Sequence, residues 1–178
     1  MIFEETCLRG AYVIDPLIIG DERGFFARAW CQKEFGAHGL VTAFVQSNLS
    51  FNKFEGTLRG MHRQIAPAEE VKLVRCTKGR IYDVIVDLRP DSPTHRQWFG
   101  VELSAENHRM LYVPAGFAHG YQTLEDNCEV FYQVSEFYTP EYERGARYDD
   151  PSFGIQWPLA VSAVSPKDKN WPDYVPVL

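Results

Sequence analysis

The segment GTLRGMHRQ, Gly56 to Gln64, sets His62 among Arg59, Arg63 and Gln64, and the run VKLVR that follows places Lys72 between apolar neighbours. A second histidine, His119, comes just after Pro114-x-Gly116 in VPAGFAHGY, and Tyr132 lies in VFYQVSEFY. Together these residue types suit one chemistry. A histidine can take a proton from carbon beside a carbonyl, a fixed ammonium can meet the enolate oxygen, and a tyrosine hydroxyl can return a proton to the other face. Singly each is a weaker signal, because a lone strand histidine is most often a satisfied structural group and most strand tyrosines pack. Their company changes the reading. An interior that holds His, Lys, Arg and Gln must have its charges and hydrogen bonds met, and a bound anion with water does this.

A metal site is the competing use of these residues. Two histidines with Glu69 in range could hold a divalent ion. However, His62-Arg63-Gln64 lacks the second histidine of a His-x-His pair, and Lys72 would repel a cation in a low-dielectric pocket. Neither a metal nor another cofactor is expected.

The elements that must carry these side chains read as strands. CLRGAYVIDPLII, AFVQSNLSF, VKLVRCTKGRIYDVIVDLR, QWFGVEL, RMLYVP, HGYQTL and EVFYQVSEFY are rich in Val, Ile, Phe and Tyr and are punctuated by Gly, Pro, Asp or Asn. Arg59, His62 and Gln64 alternate, or nearly so, along one predicted strand, which turns His62 and Gln64 to one face, and Lys72 alternates with Val74. Thr77-Lys78-Gly79 reads as a hairpin turn. VIVDL alternates too little for an exposed face and belongs inside a sandwich or barrel. A short helix is expected at Cys31 to Gly36, with Ser104 able to cap a turn over residues 104–107. From Tyr138 onward the chain is rich in Pro, Asp, Tyr and Trp without clear periodicity, so irregular structure wrapped over the barrel is expected there. The architecture predicted is all-β, an antiparallel jelly-roll β-barrel with short helices, as one domain over residues 1–178.

Composition narrows the function. At 178 residues, 45% hydrophobic and 24% charged, the chain can bury one substantial core. Its net charge of -6 speaks against a general nucleic-acid binder but leaves room for a local cationic pocket holding a small anion. Cys7, Cys31, Cys76 and Cys128 are scattered, with no CxxC pair and no secretory segment before them, so reduced thiols in the cytoplasm are expected. No apolar run approaches the roughly 18 residues of a membrane span.

PAGFAH has the Pro-x-Gly-x-x-His form of the second cupin motif, in which the histidine points into the barrel mouth. More broadly, DERGFFARAW, QSN, GTLRGMHRQ, KLVR, DVIVDLRPDSPT, VPAGFAHGY, YTPEYERG, DDPSFGIQWP and SPKD occur in the order and spacing of one family. Across nearly its whole length the chain resembles the dTDP-4-dehydrorhamnose 3,5-epimerases and related deoxysugar epimerases. The resemblance implies a metal-free cupin-type jelly roll that acts on a nucleotide-linked 4-keto-6-deoxyhexose, as a homodimer whose N-terminal strands cross between subunits. It makes His62 the general base, Asp168 its orienting carboxylate, Lys72 the enolate stabiliser and Tyr132 the general acid. His119 and Arg59 would line the pocket. Arg59, Arg23, Gln46, Asn48, Glu143 and Lys167 match positions that hold the ligand and its diphosphate, and Tyr138 matches the aromatic that stacks on the base. Two positions depart from the family's pattern: Arg28 stands where a glutamate is common, and Arg63 where an aromatic follows the histidine. Both add positive charge near the ligand and leave dTDP, CDP and GDP open as the nucleotide. A nucleotide-sugar 3,4-ketoisomerase and a non-catalytic nucleotide-sugar-binding cupin are the alternative functions.

Overall fold

A computed structural model describes residues 1–175, and the β-rich runs form two facing sheets. With strands numbered along the chain, the first sheet has the order β1 (Ile2–Glu5), β2 (Tyr12–Asp15), β10 (Met110–Val113), β7 (Lys72–Lys78), β12 (Cys128–Val134) and β5 (Gln46–Asn52). The second runs β13 (Glu143–Gly145), β6 (Thr57–Gln64), β11 (Phe117–Thr123), β8 (Arg80–Asp87) and β9 (Trp98–Ser104), with β14 (Ala163–Val164) paired parallel to β6. A separate hairpin, β3 (Ile18–Asp21) and β4 (Gly24–Ala27), projects from the first sheet's end of the chain. The arrangement is the expected antiparallel jelly roll, with the two sheets facing each other rather than joined into a closed barrel.

Inward residues of both sheets meet in one core that includes Val13, Val74, Cys76, Ile81, Ile85, Leu103, Leu111 and Val130. Each large aliphatic group there contributes on the order of 1.5–3 kcal/mol by leaving water. The apolar stretch Val84-Ile85-Val86 of VIVDL follows from burial on both faces. Ile85 points into the core between the sheets, while Val84 and Val86 pack outward against Ala146 and Phe153 of the C-terminal segment. The first sheet is covered in the same way by α1 (Gln32–Ala37), whose Phe35 packs on Ile14, Leu73, Met110 and Tyr112. This helix lies one residue beyond the expected Cys31 to Gly36. Ser104 and Asn107 exchange capping bonds around the expected turn, each side-chain oxygen accepting the other's N–H at 3.0 Å.

One expectation fails. Thr77-Lys78-Gly79 is not a hairpin turn, because β7 pairs with β10 and β12 while β8 pairs with β9 and β11. Gly79, at φ +73, instead turns the chain from one sheet to the other, and a Cβ there would come within 2.8 Å of Cys128 Sγ. The segment after Tyr138 is largely irregular, as expected, but it is stitched to the second sheet. Met61 and Ala146 exchange backbone bonds at 3.1 Å, and the short helix α2 (Pro166–Lys169) seats against β6.

Candidate active site

A cavity of about 380 Å³ opens between the sheets where the inward rows turn polar. On β7 the inward row runs Cys76, Val74, Lys72, and on β12 it runs Cys128, Val130, Tyr132, so each strand carries core residues at one end and a cavity residue at the other. On β6 the register shifts: His62 pairs with His119 and Arg59 with Tyr121, so three steps of β6 oppose two of β11. This bulge decides the site's composition. In a regular strand Arg59 and His62, an odd number apart, would face opposite sides, yet both line the cavity. Glycine permits the close approach, since a Cβ on Gly60, at φ +124, would lie 2.5 Å from Gly120 Cα.

His62 Nε2 lies 2.6 Å from Asp168 Oδ1, with Asp168 only 3% exposed on α2. Burial alone would raise the Asp168 carboxyl, but the hydrogen bond and charge of His62 and the Gly60 N–H at 3.3 Å outweigh it and hold the carboxyl below its usual range. The ionised carboxylate accepts, so Nε2 carries the hydrogen and the imidazole lone pair is on Nδ1. Ser165 fixes the carrier helix by accepting the Asp168 N–H at 3.0 Å.

Lys72 is held by two acceptors, Glu70 Oε1 at 2.9 Å and the His62 carbonyl at 3.2 Å. An ammonium has three N–H groups, which leaves one for an oxygen in the cavity. His119 Nε2 lies 2.8 Å from Asp83 Oδ1, and Asp83 is wholly buried. Burial pushes the Tyr132 phenol above its ordinary value, against the pull of Arg59, so its hydroxyl keeps its proton at neutral pH. Arg59 is oriented by Asn52, whose Oδ1 accepts its Nε–H at 2.6 Å, and Asn52 in turn donates to the Tyr121 hydroxyl at 3.2 Å. At the mouth, Glu143 accepts from Tyr138 at 2.7 Å and from Lys167 at 2.6 Å. Gln46 donates to Asn48 at 2.9 Å.

The structure thus brings together His62, Lys72, Tyr132, Asp168, Arg59, His119, Gln46, Asn48, Tyr138, Glu143 and Lys167. Arg23 is left out, since it sits in the β3–β4 turn, bonded to Asp21 at 2.6 Å and open to solvent. Arg28 is outside its own chain's cavity as well, paired with Glu34 at 2.6 Å, whereas Arg63 does line the cavity. Sequence reading named Glu69, which is exposed, and missed its neighbour Glu70, which holds Lys72. It also missed Asp83, although a carboxylate inside IYDVIV is the same kind of signal as the lysine inside VKLVR. Among the described residues no three His, Cys, Asp or Glu side chains gather to hold a metal ion.

A histidine–aspartate pair, a tyrosine hydroxyl and a held ammonium around one cavity, set in a two-sheet jelly roll, suit a cupin-type isomerase that works by moving protons on and off carbon. Residues 5–175 match the model of the family described as dTDP-4-dehydrorhamnose 3,5-epimerase, and the chain belongs to that family. A dTDP-4-dehydrorhamnose 3,5-epimerase of Methanothermobacter thermautotrophicus is 45% identical over 172 residues, covering 95% of this chain and 92% of that protein. Among solved structures, the enzyme of that name from Elizabethkingia anophelis superposes with a TM-score of 0.95 at 39% identity, covering 98% of this chain and 96% of the other. The one from Bacillus anthracis, with TDP and PPi bound, gives 0.93 at 43% identity and covers 96% and 98%. No helix among the described residues is long and apolar enough to cross a membrane.

Proposed function

We propose that this isomerase inverts C3 and C5, or one of them, of a nucleotide-linked 4-keto-6-deoxyhexose of the dTDP-4-dehydro-6-deoxyglucose type. His62 Nδ1 takes the proton from the carbon beside the C4 ketone. The C–H electrons move into the carbonyl, and the resulting enolate oxygen accepts the remaining N–H of Lys72. Tyr132 then delivers its hydroxyl proton to the opposite face of the carbon as the ketone re-forms; Tyr132 is reprotonated from solvent and His62 releases to solvent the proton it took. Asp168 holds the imidazole and stabilises its protonated form. Arg59, oriented by Asn52, meets the diphosphate with Lys167 and with Arg23 of the partner subunit, while Gln46, Asn48, Glu143 and His119 hold the rest of the ligand and Tyr138 stacks on the base.

The observation that carries this reading is the 2.6 Å His62–Asp168 bond opening into the same cavity as Lys72 and Tyr132. Neither group of this pair would be needed for binding alone, and a base without a facing acid and cation could exchange a proton but not invert a centre. Incubation with dTDP-, CDP- and GDP-linked 4-keto-6-deoxyhexoses in deuterated water, with deuterium located on the sugar by NMR, tests the reaction and the nucleotide together. Label at C3 or C5 with an inverted product supports it. A product with the keto group moved to C3 would indicate a 3,4-ketoisomerase, and binding without label would indicate a binding protein.

The reading includes a homodimer with crossed N-terminal strands. What supports it is a hairpin whose Ile19 and Phe26 are each 67% exposed, together with Leu49, 68% exposed on the edge strand β5. Apolar surface of this kind marks an interface, and a partner's hairpin is the means by which Arg23 would reach a cavity. Sedimentation of the wild type as a dimer and of Phe26→Asp as a monomer is expected; a monomeric wild type contradicts it.

A further inference from the structure

Gln64 ends the GMHRQ motif, is 5% exposed, and has no part in the proton transfers. Its side chain is nonetheless almost fully bonded. The amide nitrogen donates to Ala68 O at 2.9 Å and Phe137 O at 3.1 Å, and the amide oxygen accepts the Thr139 N–H at 2.6 Å. Bonding the carbonyl before residue 138 and the N–H after it, one amide takes the place that a residue of an adjoining strand would occupy. The residue so bracketed is Tyr138, which is 54% exposed and whose own N–H makes only a long bond, donating to Gln46 Oε1 at 3.4 Å. The cross-strand partner of Gln64 is Glu143, which accepts the Tyr138 hydroxyl at 2.7 Å. Tyr138 is therefore fixed at its backbone by Gln64 and at its tip by the residue paired with Gln64.

We infer that Gln64 is a positioning residue that holds Tyr138 ready for the nucleobase, so that nucleotide affinity, and not the chemical step, depends on it. The inference rests on the stacking role proposed for Tyr138. The apolar, similarly long Gln64→Met removes all three side-chain bonds, and Gln64→Asn keeps the amide but shortens its reach. Binding of dTDP is measured by calorimetry for these variants, for Tyr138→Ala and for the double variant, with kcat followed at saturating substrate. Gln64→Met is expected to bind dTDP roughly tenfold more weakly, the size of effect that follows when a contact side chain must be ordered during binding. Its kcat should stay within about threefold of wild type. Tyr138→Ala should weaken dTDP binding too, and adding Gln64→Met to it should cost little more, because both act through one side chain. Losses that multiply in the double variant, wild-type dTDP affinity in Gln64→Met, or a fallen kcat at unchanged affinity would each overturn the inference. So would failure of both Gln64 variants to fold, which would make the residue purely structural. Wild-type affinity in Tyr138→Ala would instead remove the stacking role itself.

Discussion

The two ends of the sandwich share their strands and differ in what those strands bury. At one end β7, β12 and β8 contribute Cys76, Val74, Cys128, Val130, Ile81 and Ile85 to a dry core. At the other, β7 and β12 present Lys72 and Tyr132 to a cavity in which Lys72, His62 and His119 each have a carboxylate beside them. The change happens within a single two-residue step, from Val74 to Lys72 and from Val130 to Tyr132. Rigid packing thereby reaches right up to the groups proposed to react, and on that proposal stability and chemistry are separable by position along one strand.

This separation can be attacked from both ends. The largest effect is expected at the cavity: His62→Ala should lose exchange at the sugar carbons by about 10²–10⁴-fold or more, the range of general base catalysis, while the protein still folds, with some stability lost because buried Asp168 is left without its partner. Deuterium incorporation at the wild-type rate would return His62 to a structural role. At the core end the pattern should reverse. Ile85→Ala is expected to cost about 2–5 kcal/mol of unfolding free energy, read by denaturant titration, with kcat of the folded fraction near wild type. A large loss of kcat in well-folded Ile85→Ala would mean that the two ends are coupled.

A third test uses the contrast between two buried aspartates. Asp168 serves the cavity, whereas Asp87 ties down the loop after β8, accepting from Arg89 at 2.9 and 2.7 Å and from Thr94 at 2.7 Å. Burial would raise the Asp87 carboxyl, but the bonds from Arg89, Ser92 and Thr94 outweigh it and bring it down to about 2. A depressed folded-state value stabilises the fold above the unfolded carboxylate value of about 3.9, and the contribution is lost as pH falls through about 2; it amounts to about 2–3 kcal/mol at neutral pH. Asp87→Asn should therefore be less stable than wild type at pH 7 and nearly equal to it at pH 2. A gap that persists at pH 2 would assign the effect to packing instead. The smallest effect is expected from chelation. The incomplete His-x-His and the lysine in the cavity predict no change in activity with EDTA, and activity abolished by EDTA and restored by a divalent ion would contradict this.

The sequence showed this division only in part, and for physical reasons. Lysine in VKLVR and histidine in GTLRGMHRQ stood out because a charged group in an apolar strand needs a partner. The short helix, the jelly roll and the unpatterned C-terminal wrap were legible from periodicity and composition. The bulge at Gly60 was not. Strict alternation cannot place Arg59 and His62 on one face, and nothing in Arg-Gly-Met-His states where the register slips. Thr77-Lys78-Gly79 was misread because a glycine turn between two β-branched runs looks the same whether the chain returns along one sheet or crosses to the other. Asp168, on a polar tail, reads as a surface carboxylate until α2 is seated against β6. Glu70 and Asp83 act only through contacts made by folding.

The central claim is that base and acid face each other across the substrate, and Tyr132→Phe tests it most directly. His62 can return a proton to the face from which it took one, so this variant should still exchange deuterium into the sugar while forming inverted product about 10²–10⁴-fold more slowly, the usual worth of general acid catalysis. Product formed per deuterium incorporated is the quantity to measure, with dTDP affinity and melting temperature followed on the same sample. A collapsed ratio in a folded, ligand-binding Tyr132→Phe is the predicted result; an unchanged ratio would show that another group delivers the proton and would contradict the account.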